Sequence, residues 1–217
     1  MVWGKFIILI LMENSCVLDK GDTMLEYVYF EEDYRTFKKG SKIEFRKGVN
    51  LIVGDNGTGK SSLLSLLLSL RSGKLTNGTI TIKTMDNIVN NTYAYDFEKD
   101  NIRTKSYLSE GNAAFEVCSK FKSHGEVNKS VIKSITRLLT NDDIIIVDEP
   151  DMALSVKSII WLGKFFHKVG KNTQIIAAVH NPYLMLQEKE ILNIETLQWE
   201  DSINYLKNFE DSIKLFE

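Results

Sequence analysis

Cysteine is scarce in this chain. Cys16 and Cys118 are the only two among 217 residues, too few for a disulfide framework, and a reducing cytoplasm is the default setting for such a sequence. No apolar stretch approaches the ~20 residues that a membrane helix needs. Neither sign of charge dominates: 27 Lys and Arg against 29 Asp and Glu leave a formal net charge of −2. No global field therefore draws the chain to nucleic acid, and any such contact would rest on a local patch. Internal repeats, low-complexity tracts and long linkers are absent as well. The length suits one domain with a substantial core rather than two.

The N-terminal apolar run, Phe6 to Met12, is at the short limit for a signal-peptide core, and Glu13-Asn14-Ser15 offers no A-x-A-like cleavage site. Lys20-Gly21-Asp22-Thr23-Met24 can be encoded as AAA-GGA-GAT-ACN-ATG, a ribosome-binding sequence and short spacer before a start codon. The expectation is that residues 1–23 are an untranslated or disordered extension, and that the working protein starts at Met24 as a bacterial or phage product. The alternative is an extra edge strand over residues 5–11. A peptide from residues 2–20, found by mass spectrometry in the native host, would exclude the first reading.

What the chain does contain is a glycine loop of fixed spacing. Leu51-Ile52-Val53 runs into Gly54-Asp55-Asn56-Gly57-Thr58-Gly59-Lys60-Ser61-Ser62, which fits G-x-x-x-x-G-K-[ST] in full. Gly57 and Gly59 let the backbone turn its N–H groups inward, forming a nest for phosphate oxygens at a helix N-terminus. Lys60 is placed to reach the β- and γ-phosphates, and the Ser61 hydroxyl to coordinate Mg²⁺. The bland alternative is a loop that merely turns a strand into a helix. The strand-like run before it and the Lys-Ser pair in register favour a nucleoside-triphosphate site.

From Met24 onward, residues 25–30 and 42–46 read as strands of an antiparallel lobe leading into the strand 49–53. Ser61–Leu70 is apolar nearly all round, a helix buried on most sides. Residues 79–83 alternate as a strand after the Asn77-Gly78 turn. Residues 86–122 are polar, irregular and carry no clear pattern. A helix is expected from Val127 to about Leu139, then a fully apolar strand over 144–147 of the parallel-sheet kind. Ser155–Val169 reads as a helix with Ile159, Ile160, Leu162, Phe165 and Phe166 inward, and Gln174–Val179 as a second buried strand. The tail, with Leu197, Trp199, Ile203, Leu206, Phe209 and Ile213, looks amphipathic. Core packing is the favoured role for it, with a partner-binding helix as the alternative. Strands alternating with helices around a glycine loop give an α/β fold with a largely parallel central sheet.

A second constellation is Val147-Asp148-Glu149-Pro150-Asp151. An acidic pair at the end of an apolar strand complements a phosphate loop. Asp148 would hold the Mg²⁺ shell opposite Ser61, and Glu149 would orient or deprotonate the attacking water. The alternative is an ordinary acidic turn.

With these two motifs in place, residues 24–195 resemble the ATPase domain of the ATP-binding-cassette (ABC) superfamily, in particular its soluble SMC/RecF-like branch and the compact AAA-family ATPases of bacteria and phage. Asp33-Tyr34-Arg35-Thr36-Phe37 is similar to an Asn-Phe-Arg-Ser-Phe motif of such proteins, and residues 45–62 to their "F-x-x-G-x-N-x-I-x-G-x-N-G-x-G-K-S-S" block. Ser123-His124-Gly125-Glu126 resembles the signature motif, residues 148–150 the cassette Walker B, residues 151–155 the D-loop, and His180 the switch histidine. The resemblance implies a P-loop NTPase with an N-terminal antiparallel β lobe and a short helical lobe, about residues 86–126, within a single domain over 24–217. It implies that Ser123 and Gly125 contact the γ-phosphate of ATP held by a second protomer, and that His180 contacts it from the same chain. Tyr34 and Arg35 are candidates for the adenine/phosphate edge, with simple packing as the alternative.

Two departures stand out. No glutamine lies between Ser61 and Thr173, so the usual Q-loop ligand is missing; Glu98 or Asp96 would substitute, unless that stretch is an ordinary solvated loop. His124 replaces the first signature glycine. The interval from Lys60 to Ser123 is also too short for an inserted long coiled coil, which excludes a chromosome-scale clamp. The expected function is Mg²⁺-dependent ATP hydrolysis by a cytoplasmic, head-to-tail homodimer that drives or gates a protein or nucleic-acid partner, in DNA processing or phage–host conflict. The alternatives are a non-hydrolysing ATP sensor and the ATP-binding subunit of a transporter.

Overall fold

The computed structural model describes residues 25–71, 80–84, 92–96 and 143–214. Two sheets organise them. The smaller is antiparallel: β1 (Leu25–Phe30) lies between β2 (Lys42–Glu44) and β4 (Ile80–Thr84). The larger joins β3 (Val49–Val53), β5 (Thr92–Asp96), β6 (Ile144–Asp148), β7 (Gln174–Ala178), β8 (Glu190–Asn193) and β9 (Gln198–Asp201) in the order β5-β6-β7-β3-β8-β9. All its pairings are parallel except β8 with β9. The expected architecture, a largely parallel central sheet with an antiparallel lobe, is therefore present.

Residues 144–147 and 175–178 are apolar without alternation because both faces of the central sheet are covered. On one face Leu51, Val53, Ile145, Val147, Ile175 and Ala177 pack against α2 (Val156–Val169), through its Ile159, Leu162 and Phe166. On the other, Ile52, Ile144, Ile146, Ile176 and Ala178 meet Leu63, Leu64, Leu66 and Leu67 of α1 (Lys60–Arg71), together with Leu25, Val28, Phe30 and Ile43 of the small sheet. Two buried amides stitch the sheets together. Gln174 accepts from the Leu25 N–H and donates to the carbonyls of Leu25 and Arg46, while Asn50 accepts from Arg46 N–H and donates to Arg46 and Ile175 carbonyls. Buried polar groups satisfied in this way fix relative position without an unpaired cost.

Three expectations are corrected. Within residues 86–122, read as irregular, Thr92–Asp96 forms the edge strand β5. An edge strand pairs on one side only, so a short segment framed by polar residues suffices. The tail is not one amphipathic element. Leu197 and Trp199 belong to the β8–β9 hairpin, with Leu197 in the left-handed region at φ 58°, and the helix α3 (Ser202–Lys214) begins after it. That helix buries Tyr205 and half-buries Leu206, whereas Ile203 and Phe209 face solvent. Finally, Ile160 points outward from α2 at 42% exposure. The expected helix at 127–139, the Asn77-Gly78 turn and residues 1–23 lie outside the described residues, as does the helical lobe expected over about 86–126 apart from β5, which is strand and not helix.

Candidate functional site

Because β3, β6 and β7 run parallel, their carboxyl ends open on one edge of the sheet, where open α/β folds bind ligands. The phosphate loop leaves β3 there, Asp148 ends β6, and His180 follows β7.

The loop is held from within. Gly54, Gly57 and Gly59 adopt φ values of 142°, 83° and 113°, which side chains rarely permit. The Thr58 hydroxyl donates to the Asp55 carbonyl at 2.8 Å, and the Leu63 N–H to the Gly59 carbonyl at 2.8 Å, starting α1. Asn56 and Ser61 stand exposed on this turn. Lys60 is only 6% exposed, and its Nζ donates to the carbonyls of Gly54 at 2.7 Å and Asp55 at 2.9 Å. No carboxylate among the described residues comes within ion-pair distance of it. Burial pushes the Lys60 ammonium below its ordinary pKa, opposed by attraction to Glu149, Asp148, Asp55 and Glu195. A buried cation whose partners among the described residues are carbonyls, beside a cradle of positive-φ glycines, has the chemistry of a polyanion site.

The Asp33–Phe37 turn closes the loop's outer side. Tyr34 and Phe37 exchange backbone hydrogen bonds at 2.8 and 2.9 Å, and Phe37 stacks on Phe30 with centroids 4.7 Å apart. A Cβ on Gly59 would run into the Thr36 hydroxyl and lie 3.0 Å from the Phe37 ring. Arg35, at φ 52°, donates from Nη1 to the Ser62 Oγ at 2.9 Å and sits 5.7 Å from the Tyr34 ring centroid.

The opposite wall is built from distant segments. Glu149 takes the left-handed conformation, φ 52°, uncommon for a residue with a side chain, and its N–H donates to the Ala178 carbonyl at 3.1 Å. Its carboxylate lies 3.4 Å from His180 Nε2. Two residues on, the buried Asp151 accepts from the N–H groups of His180 and Asn181 through one oxygen, at 2.8 and 2.6 Å.

The structure thus brings together Gly54–Ser62, Arg35, Asp148, Glu149 and His180 at one edge. Ser123 and Gly125 lie outside the described residues, as does Glu98. Asp96 ends β5 directly beside Asp148 in the parallel register. Two contacts carried no sequence signal. In the sequence Asp151 is only the start of a stretch that resembles the D-loop, and Glu195, on the β8–β9 turn, accepts from the Asp55 N–H at 2.7 Å. The donor set fits Mg²⁺: a hydroxyl and a carboxylate are hard oxygen ligands, and this ion keeps few protein ligands beside phosphate oxygens. No helix among the described residues is long and apolar enough to cross a membrane.

Residues 32–217 match the family model AAA_23, an AAA domain. No curated protein matches the chain. Among solved structures it is similar to cbiO1 from Clostridium perfringens, part of the ABC transporter complex cbiONQ, at 17% identity and a TM-score of 0.55, covering 90% of this chain and 95% of that one. It is similar also to the SMC head domain from Thermotoga maritima, at 15% identity and a TM-score of 0.52, covering 78% and 94% respectively. At such identities the likeness is one of fold. The chain belongs to the AAA_23 family of AAA domains, and its fold is that of P-loop ATPases of the ABC and SMC-head kind.

Proposed function

We propose that this domain hydrolyses ATP with Mg²⁺, as one half of a head-to-tail dimer that drives or gates a partner. The observation that carries the reading is the Glu149 carboxylate held 3.4 Å from His180, at the same sheet edge as the buried Lys60 ammonium. A carboxylate acting as general base needs a fixed position near the γ-phosphate, and a residue locked into a left-handed turn has one. Gly54–Ser62 would bind the triphosphate, with Arg35 at its edge. Ser61 and Asp148 would hold Mg²⁺, and Asp96, which pairs in register with Asp148, would replace the missing glutamine as a further ligand. Mg²⁺, when bound, neutralises charge developing on the phosphate oxygens. Glu149 would orient and deprotonate water, and His180 would contact the γ-phosphate. Ser123 and Gly125 of one chain would complete the site of the other. We place the protein in the cytoplasm, with DNA processing or phage–host conflict as its setting by family analogy alone.

The test is Glu149→Gln. It should abolish phosphate release while leaving ATP bound, and sedimentation should show a stable dimer with ATP and Mg²⁺ where the wild type shows monomers without nucleotide. One unchanged species under all conditions would overturn the dimer. Unaltered behaviour of the variant would favour a non-hydrolysing sensor.

A further inference from the structure

We infer that Asp151 is a positioning residue that sets the switch histidine against the catalytic glutamate; the inference rests on the roles proposed for Glu149 and His180. Asp151 is 5% exposed, and a buried carboxylate persists only where hydrogen bonds compensate it. Its compensation is one-sided. Oδ2 takes both the His180 and Asn181 N–H groups, 29 and 30 residues away in sequence, whereas Oδ1 is buried with no hydrogen-bond partner among the described residues. The polar capacity of the side chain is therefore spent on the backbone that carries the His180 imidazole.

The geometry on either side gives this bond its consequence. Glu149 and Asp151 share a turn, closed by the Met152 N–H donating to the Glu149 carbonyl at 3.1 Å, and Glu149 is tied to β7 through the Ala178 carbonyl. The strand that receives Glu149 continues into Val179 and His180. Asp151 closes this arrangement a second time, so the loop bearing the carboxylate and the residue bearing the imidazole move as one piece. The 3.4 Å separation of Glu149 Oε1 and His180 Nε2 is the quantity it holds. His180 keeps 39% of its side chain exposed, so packing alone does not enclose it.

Asp151→Ala leaves two strand-end donors without their acceptor, and misplacing a reacting group by about 1 Å costs up to about 100-fold in rate. In a steady-state assay of the full chain, Asp151→Ala should lower kcat about 10- to 100-fold with KM for ATP changed little. Asp151→Asn, which keeps an acceptor oxygen, should recover most of the loss. The decisive comparison is a double-mutant cycle: Asp151→Ala in a His180→Ala background should cost almost nothing more, because Asp151 acts through His180. A second readout needs no turnover. The chain has three histidines, so the His180 Cε1–H signal can be assigned by its loss in His180→Gln. In nucleotide-free protein that signal should shift in Asp151→Ala and return in Asp151→Asn. Additive losses in the cycle, an unshifted His180 signal, or an Asn variant as impaired as Ala would each overturn the inference. If Asp151→Ala does not fold, the Asn variant decides alone: it must keep the wild-type His180 signal. If the wild type does not hydrolyse ATP, a shifted His180 signal in Asp151→Ala still supports the positioning role, and the proposed hydrolysis is overturned instead.

Discussion

The two walls of the cleft are made in opposite ways. The phosphate loop is closed by contacts five and six residues apart, Lys60 to Asp55 and Gly54, with glycine supplying the left-handed turns. The acidic wall is closed by contacts about thirty residues apart, Asp151 to His180 and Asn181, with Glu149 forced into a conformation its side chain disfavours. A locally closed loop carries its own instructions and survives as a motif. A wall closed across the sheet depends on the fold being complete, and its strain is sustained by packing elsewhere.

The largest effect should come from removing the one group on which the local wall converges. Lys60→Ala should weaken binding of a fluorescent ATP analogue by about 100-fold or more, the scale of losing a preorganised charge in a water-poor site. Binding near the wild-type level would show that the loop is not the phosphate site.

Next come the glycines, which separate backbone strain from steric conflict. Gly59→Ala meets both, φ 113° and the Thr36 and Phe37 side chains, and should cost about 2 kcal/mol in urea unfolding. Gly57→Ala meets strain alone, φ 83° with open space around it, and should cost about 1 kcal/mol. Equal losses would mean that the Asp33–Phe37 turn yields freely and does not brace the loop. Of the same size as the Gly57 effect is Glu195→Ala, which releases the Asp55 N–H. About 1 kcal/mol of stability should be lost, and Glu195→Gln, retaining an acceptor, should restore it.

The same contrast explains what could be read in advance. Gly54–Ser62 and the apolar strand ending at Asp148 were legible because residue type, spacing and chemistry are all local there. So were the two faces of the central sheet, since unbroken runs such as Ile144–Val147 require cover on both sides. β5 was not legible, because an edge strand of five residues makes no periodic signal. The β8–β9 hairpin was hidden by Leu197 and Trp199, whose spacing imitates a helix face until the left-handed Leu197 turns the chain. Asp151 and Glu195 were illegible for a different reason. Each acts on backbone N–H groups that only the finished sheet brings near, and a carboxylate that caps a distant strand end looks like any other acidic loop residue.

The smallest expected effect is also the one that joins the walls. Lys60 is protonated less readily than an ordinary lysine because it is buried, and the first of the charges resisting that shift is Glu149. Triphosphate binding favours the ammonium, so the bound complex holds the proton more tightly than the free protein. ATP affinity should then fall as pH rises through the depressed pKa of free Lys60, which lies below the ordinary 10.5. Removing the Glu149 charge takes away an attraction to the ammonium, so in Glu149→Gln the fall should begin at lower pH. Lys60→Arg should abolish the fall, since a guanidinium stays charged throughout. Titrating ATP at several alkaline pH values distinguishes the three proteins. Identical profiles for the wild type and Glu149→Gln would mean that the two walls, although they share a sheet edge, are electrostatically independent.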